Sequence, residues 1–351
     1  MHKRFGCFYN DVIMKLSVLI PTYRRPEAIN TCLALLAKQS YRGQFEIIIG
    51  LDGDAEVTPD PNVPESLLDS TRLVRFAKVG LLSIRKAMLE QAQGEIVLSI
   101  NDDSYADSEL VDAHMDLHRS GNAKVVSGVS TWKPIDTPNL FDLFVQQSNL
   151  LFFAPESVTQ PVLTDYRNCF GLNMSFPKKL ALEAGGFPEM PGCYGYEDIE
   201  IAYRLAQAGA ELWHAPGAKV VHDHRYVPSD VLRREYLLGR SAWQFAKLNP
   251  AFALDLFRRD IRLAEVLGYF SQALEFEYRD AVRVEETFLA LSEMEPDGYD
   301  FADRQTQRLF EEHWVLLKRY LWRWGVLDAA NGQESRWSLV QELGSPPVII
   351  G

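Results

Sequence analysis

The sequence predicts an α/β protein with a mostly parallel sheet flanked by helices and a helical C-terminal region. Short apolar runs rich in β-branched residues, at 16–21, 45–51, 73–76 and 96–100, alternate with helix-period segments at 26–39 and 81–93. That alternation is the signature of βαβ units, whose strands are buried on both faces and read as continuous apolar runs. Two of the runs stop abruptly in acid, at Asp52-Gly53-Asp54 and at Asn101-Asp102-Asp103. Beyond Pro228 the strand-like runs cease and only helical patterns follow.

The elements follow in order. Leu16-Ser17-Val18-Leu19-Ile20-Pro21 is a buried strand stopped by proline, and Thr22-Tyr23-Arg24-Arg25 is the loop at its carboxyl end. Pro26 suits the first turn of a helix, and Ile29, Leu33, Leu36 and Ala37 give that helix its apolar face. Residues 58–69, with three prolines, read as a loop before the strand at 73–76 and the helix at 81–93, which Gly94 ends. After the strand at 96–100, Ser108 is the expected cap of a helix reaching Arg119, and 124–129 is another strand. Residues 133–170 read as a partly helical insert near the substrate, and 168–177 as strand-like, leading into a helix from Lys178 to Glu183. A helix opens at Tyr196-Glu197-Asp198, and 211–213 and 218–221 are two short strands, the second ending in His222-Asp223-His224. Helices are expected over 231–248, 252–270, 273–294 and 303–324, and 331–351 is a tail or docking segment.

Composition narrows the function classes. With 47% hydrophobic and 24% charged residues in 351, the chain reads as a soluble globular protein of one large domain or two. A net charge of -12 argues against general nucleic-acid binding, which needs a basic face. Cys7, Cys32, Cys169 and Cys193 lie far apart with no Cys-x-x-Cys, which suggests neither a disulfide framework nor a zinc ribbon. No run reaches the roughly 18 apolar residues of a membrane span, and Met1 to Asn10 lack a signal peptide's apolar core, so a cytoplasmic location is expected, with peripheral membrane contact left open. Met14 offers an alternative start, and 1–14 is read as an N-terminal arm.

Ligands of open α/β sheets bind outside the carboxyl ends of the strands, so Asp102 and Asp103 lie where a metal and its anionic ligand would sit; an acidic turn is the plainer reading. No Gly-x-Gly-x-x-Gly and no P-loop is present, so bound phosphate would rely on metal and scattered basic groups. Glu197, Asp198 and Glu200 crowd the first turn of a helix, where the macrodipole favours acids regardless of function. His222 and His224 share one side of a strand, a metal-ligand spacing that also occurs on solvent faces. Arg233, Arg234 and Arg240, near Tyr236 and Trp243, could reach an anion or acceptor, but a solvated helix face is the plainer reading.

Taken in order, Ile20-Pro21-Thr22-Tyr23-Arg24-Arg25, Asp52, Ile100-Asn101-Asp102-Asp103, Gly171-Leu172-Asn173-Met174, Gly185-Gly186-Phe187, Tyr196-Glu197-Asp198 and His222 resemble the family 2 glycosyltransferases of GT-A fold over about residues 15–227. The resemblance implies a Rossmann-like catalytic domain over 15–227 and a helical region over 228–351. It implies a UDP-, GDP- or dTDP-sugar donor held near Pro21, Thr22, Tyr23 and Arg25, with Asp52 at the base and Asp102 at ribose or sugar. Asp103 and His222, with His224 as the alternative ligand, would bind Mn²⁺ or Mg²⁺; the imidazole tilts the choice towards manganese. Asp198 would be the general base of an inverting, hexosyltransferase-type displacement onto a glycan, lipid-linked or small-molecule acceptor, with Glu197 and Glu200 orienting the acceptor or supporting the helix start and Asn173 in the acceptor-side framework. Asn101 departs from the family's pattern, since an acid usually opens the metal motif there. Two other classes compete: a metal-dependent hydrolase using His222, Asp223 and His224 with Asp103, and a non-catalytic sugar-binding module.

Overall fold

The structure, a computed structural model, describes residues 15–53, 63–77, 79–119, 121–148, 150–153, 158–190, 193–301, 303–335 and 337–340. The N-terminal arm, Cys7, Asp54 and the end of the tail lie outside those residues. β1 (Leu16–Thr22), α1 (Pro26–Leu36), β2 (Phe45–Asp52), α2 (Glu65–Asp69), β3 (Thr71–Phe76), α3 (Leu81–Gln91) and β4 (Ile96–Ile100) build the first half of the sheet. Its strands pair in parallel in the order β3-β2-β1-β4. Residues 65–69, expected as loop, form the single turn of α2, which starts directly after Pro64 as proline's preset φ favours.

The chain continues through β5 (Ser104–Ala106), α4 (Leu110–His118), β6 (Lys124–Trp132), α5 (Leu140–Gln147), β7 (Val162–Leu163), β8 (Asn173–Pro177), α6 (Lys178–Glu183), α7 (Glu197–Gln207) and β9 (Glu211–His222). Among the described residues these nine strands form one sheet, in the order β3-β2-β1-β4-β8-β6-β9-β5 with β7 on β9. β8 enters antiparallel between β4 and β6, so the sheet is mixed at this end. β9 is one strand where two were expected: the register with β6 shifts at Gly128/Val129, and Pro216-Gly217-Ala218 bulge out there without ending the pairing.

Two further expectations fail locally. Ser108 does not cap α4; Glu109 occupies the cap position, and its N–H is satisfied by the side chain of Asp107. Gly94 does not close α3 in a left-handed conformation; the helix stops at Gln91, and a Cβ at residue 94 would collide with the backbone of Leu16 and Ser17. Glycine is needed there for close approach to β1.

Helices cover both faces of the sheet. Ile29, Leu33 and Leu36 of α1 and Leu110, Val111 and Met115 of α4 pack on one face, each burial contributing about 1.5–3 kcal/mol. α3, α6 and α7 cover the other through Met88, Leu89, Ala181, Ile201 and Leu205.

α8 (Pro228–Leu248), α9 (Pro250–Phe257), α10 (Ala264–Ala290) and α11 (Arg304–Ala330) then form a helical layer with its own aromatic core, joined by α5. The single helix expected over 252–270 is broken by Arg258, whose left-handed φ of 59° separates α9 from α10. Tyr320 and Trp324 are buried as their four-residue spacing predicts. The described part of the tail docks, with Val340 N–H donating to Glu285 and Trp337 against Tyr236. No helix among the described residues is long and apolar enough to cross a membrane.

Candidate active site

The site forms where β4 stops. Asp102 and Asp103 are both only 5% exposed. Thr22, at the end of the neighbouring β1, donates to Asp102 at 2.6 Å. Arg25 spans the pair, reaching Asp102 at 3.3 Å and Asp103 at 2.5 Å. At the far edge, His222 Nε2 lies 3.3 Å from Asp103 Oδ1 and His224 Nδ1 lies 3.6 Å from Asp103 Oδ2. Burial alone would raise the Asp103 pKa; His222, His224 and Arg25 together outweigh it and hold the carboxyl well below the usual range. Asp102 shifts upward, because burial and the charge of Asp103 exceed the pull of Thr22 and Arg25.

The donor atoms fit a hard divalent cation. Asp103 Oδ1 and His222 Nδ1 are buried and have no hydrogen-bond partner, so a charged oxygen faces His222 without a bond of normal geometry. Such an oxygen is costly unless a ligand satisfies it. Among the described residues no three His, Cys, Asp or Glu side chains cluster closely enough to hold an ion by themselves. Such cations commonly complete their shells with phosphate and water. His222 ends β9 and His224 lies just beyond it, yet their rings stack 5.8 Å apart and both face Asp103.

Asn101 is drawn the other way. Its Oδ1 accepts from Arg85 Nη2 at 3.0 Å, and Arg85 Nη1 donates to Glu197 at 2.7 Å. Arg85 thus ties the end of β4 to the start of α7, and both Arg85 and Glu197 are buried. Burial first, then the charge of Asp198, pushes Glu197 up to about 7, with Arg85 pulling back. Sequence reasoning missed Arg85, although its place between Leu82 and Leu89 on the buried stripe of α3 was a readable signal.

Asp198 accepts from Gly171 N–H at 3.0 Å and from Ile199 N–H at 2.8 Å. Just before it, Tyr196 has a left-handed φ of 68° and its hydroxyl accepts from Trp322 Nε1 at 3.0 Å. Non-glycine residues in that region cost about 1–3 kcal/mol and collect at functional sites. Arg24, in the loop after β1, is a second such residue with φ 53°.

Other predicted residues stand apart. Asp52 accepts from the N–H groups of Val79 at 2.8 Å and Gly80 at 3.5 Å, Pro21 is buried in β1, and Tyr23 is exposed. Asn173 is fully engaged inside the sheet: it donates to Val129 O and Ala218 O and meets His114 Nε2 at 2.8 Å. It fills the bulge against Gly128, where a Cβ would strike it, and has no atom to offer a substrate. Glu200 turns away too, held by Arg204 in two bonds and by Asn249. Asp223 pairs with Lys133 at 2.8 Å rather than with His222, His224 or Asp103. The aromatic wall around His222, with Trp132 at 5.3 Å and Phe153 at 5.9 Å, was not foreseen. Nor was the burial of Arg234, which lies over Phe152 at 4.9 Å with only 23% of its side chain exposed, whereas a solvated face was expected.

Residues 17–174 match the profile of Glycosyl transferase family 2, and residues 160–225 match that described as the N-terminal domain of galactosyltransferase. The chain is 28% identical to the chondroitin synthase of Escherichia coli over 60% of its own length and 35% of that protein's, so it spans about a third of that relative. It is 24% identical to the uncharacterized glycosyltransferase YfnE of Bacillus subtilis (strain 168), over 94% of this chain and 97% of the other. In fold it is similar to a mannosyltransferase from Pyrobaculum calidifontis solved with GDP-Man and Mn²⁺, with a TM-score of 0.53 and 16% identity over 91% of this chain and 88% of that one. Profile, relatives and fold agree: residues 17–174 are similar to the family 2 glycosyltransferases, and the chain has the GT-A fold.

Proposed function

We propose that the protein is a metal-dependent inverting glycosyltransferase, of hexosyltransferase type, that moves a sugar from a nucleoside-diphosphate sugar to an acceptor hydroxyl. The observation that carries this reading is the convergence of Thr22, Arg25, His222 and His224 on two buried carboxylates, one of which, Asp103, keeps Oδ1 without a hydrogen-bond partner. Asp103 and His222 are the residues that would hold Mn²⁺ or Mg²⁺, which supplies charge neutralisation at the diphosphate oxygens. The mannosyltransferase of similar fold was solved in complex with GDP-Man and Mn²⁺, which supports this assignment.

In this reading the end of β1 receives the nucleotide, and Arg25 adds positive charge beside the diphosphate. Asp52 accepts a donor group of the base, and Asp102, held by Thr22, faces ribose or sugar. Asp198 takes the proton of the acceptor hydroxyl as that oxygen bonds to the anomeric carbon and the nucleoside diphosphate departs from the opposite face. Two backbone N–H groups, one on each oxygen, fix its carboxylate, which lines a cavity between α7 and the C-terminal helices. Arg85 positions Asn101 and Glu197 on either side of the site. The catalytic domain would end near residue 227, and 228–351 would wall the acceptor side.

A donor screen tests the proposal. Incubation with UDP-, GDP- and dTDP-sugars and Mn²⁺ is expected to release nucleoside diphosphate from one donor class, and chelation to stop it. Hydrolysis of phosphoesters without any sugar donor would favour the hydrolase, and donor binding without turnover in any acceptor mixture the binding module.

A further inference from the structure

We infer that the acceptor is a phosphorylated glycan, its phosphate held by Arg259, Lys318, Arg319 and Arg323 in the cavity that Asp198 lines. The inference rests on the transferase reading and adds the chemical class of the second substrate. The cavity has a volume of about 630 Å³ and lies between the start of α7 and the helices α8 to α11; Asp102, Asp103, Arg25 and His222 do not line it, so its cations are distinct from those at the proposed donor end. One part of its wall is aromatic, with Trp322 5.3 Å from Phe257 and 5.7 Å from Phe270, surfaces suited to the faces of sugar rings.

The wall also carries six cations against two acids, Asp198 and Glu235, in a chain whose net charge is -12. Arg234 is matched by Glu235 at 2.6 Å, and Arg167 by Asp165 and Asp255 at 2.9 and 2.6 Å. The other four cations are not balanced. Arg319 and Arg323 share one carboxylate, Glu277, at 3.5 and 2.7 Å. Arg259 and Lys318 are exposed and have no ion pair among the described residues. Lys318, Arg319 and Arg323 lie within two turns of α11, while the left-handed Arg258 turns the chain where Arg259 joins them. Strain at that residue is another cost borne at the cavity's edge. A single carboxylate would leave most of this excess unneutralised. A phosphate monoester brings a charge of roughly -1.5 to -2 and three oxygens for guanidinium forks.

Calorimetric titration of the full chain with glucose 1-phosphate tests this, with the donor site first saturated by UDP or GDP and Mn²⁺. Glucose and glucuronate serve as controls. Saturable binding of the phosphate is expected, at least about tenfold tighter than glucuronate, and weakened about tenfold in Lys318→Glu and in Arg259→Glu, as loss of one charged hydrogen bond predicts. Lys318→Gln and Arg259→Gln are expected to weaken it in the same direction, which guards against a folding defect in the charge reversals. Equal affinity for glucuronate, no binding, or binding untouched by all four substitutions would overturn the inference. The same titration reports nucleoside diphosphate binding separately: its absence would sink the transferase reading, while its presence without phosphate binding would sink only the acceptor assignment.

Discussion

Arg85→Met separates a structural tie from an ordinary surface charge. The guanidinium is 2% exposed and donates to Glu197 at 2.7 Å and Asn101 at 3.0 Å, across 112 and 16 residues of chain. Methionine keeps much of the volume and removes both bonds, which strands a buried carboxylate whose second oxygen already has no partner. Breaking a buried pair from one side costs about 3–5 kcal/mol. Glu197 can escape part of that cost by protonating. Its pKa, already raised to about 7 by burial and Asp198, would rise further without Arg85. The destabilisation should therefore be greater at pH 8 than at pH 6, read by urea unfolding at both values. Adding Glu197→Gln should recover about 1–3 kcal/mol at pH 8, because the stranded charge is gone. Turnover, read as nucleoside diphosphate release, should fall about a hundredfold, since both the end of β4 and the start of α7 lose their common anchor. A loss below about 1 kcal/mol at pH 8, with normal turnover, would refute the role assigned to Arg85.

Further predictions address the metal end and the core. Asp103→Ala should abolish Mn²⁺-dependent binding of nucleoside diphosphate in calorimetry; undiminished binding would remove Asp103 from the metal site. Burial holds His114 down to about 4 and His118 to about 3, the latter helped by His114 and Lys124. Both are therefore neutral in the fold at pH 5 while the unfolded chain has taken up their protons. Their stabilisation is full above about pH 6.5 and is lost as pH falls, by about 2 kcal/mol per histidine between pH 7 and pH 5. Glu197 works in the opposite sense, since its raised pKa makes the fold gain stability as pH falls from about 7. The clean reading is the variant: His118→Gln should lose about 2 kcal/mol less than the parent chain over that interval, and an identical loss would contradict the burial account.

The first half of the sheet was legible because parallel strands buried on both faces must be apolar throughout, as β1, β2 and β4 are, and because their ends are marked by Thr22, Asp52 and Asp102. The pairing of those ends with His222 came from the family resemblance, since no local pattern relates residues more than a hundred positions apart. β5 was too short to register, and Pro216-Gly217 looked like the end of a strand because a bulge and a break have the same local composition. Polar residues misled where the fold buries them. Asn173 and Glu200 sit in motif positions, yet the backbone carbonyls of Val129 and Ala218 and the side chain of Arg204 claim them. Arg85 was overlooked for the converse reason: on a helix an arginine reads as solvent-facing unless its phase against Leu82 and Leu89 is counted.

The central claim is that Asp198 removes the acceptor proton while Asp103 anchors the donor end. Asp198→Asn replaces one carboxylate oxygen by an N–H₂ group facing a backbone N–H donor, so Asp198→Ala is measured beside it. The decisive measurement is sugar transfer and nucleoside diphosphate affinity in both variants against the parent chain. Transfer should fall by at least about a hundredfold while nucleoside diphosphate binding stays within about twofold, since a positioned base contributes roughly 10²–10⁴ to rate and Asp198 does not touch the donor end. Full transfer by both variants would contradict the account.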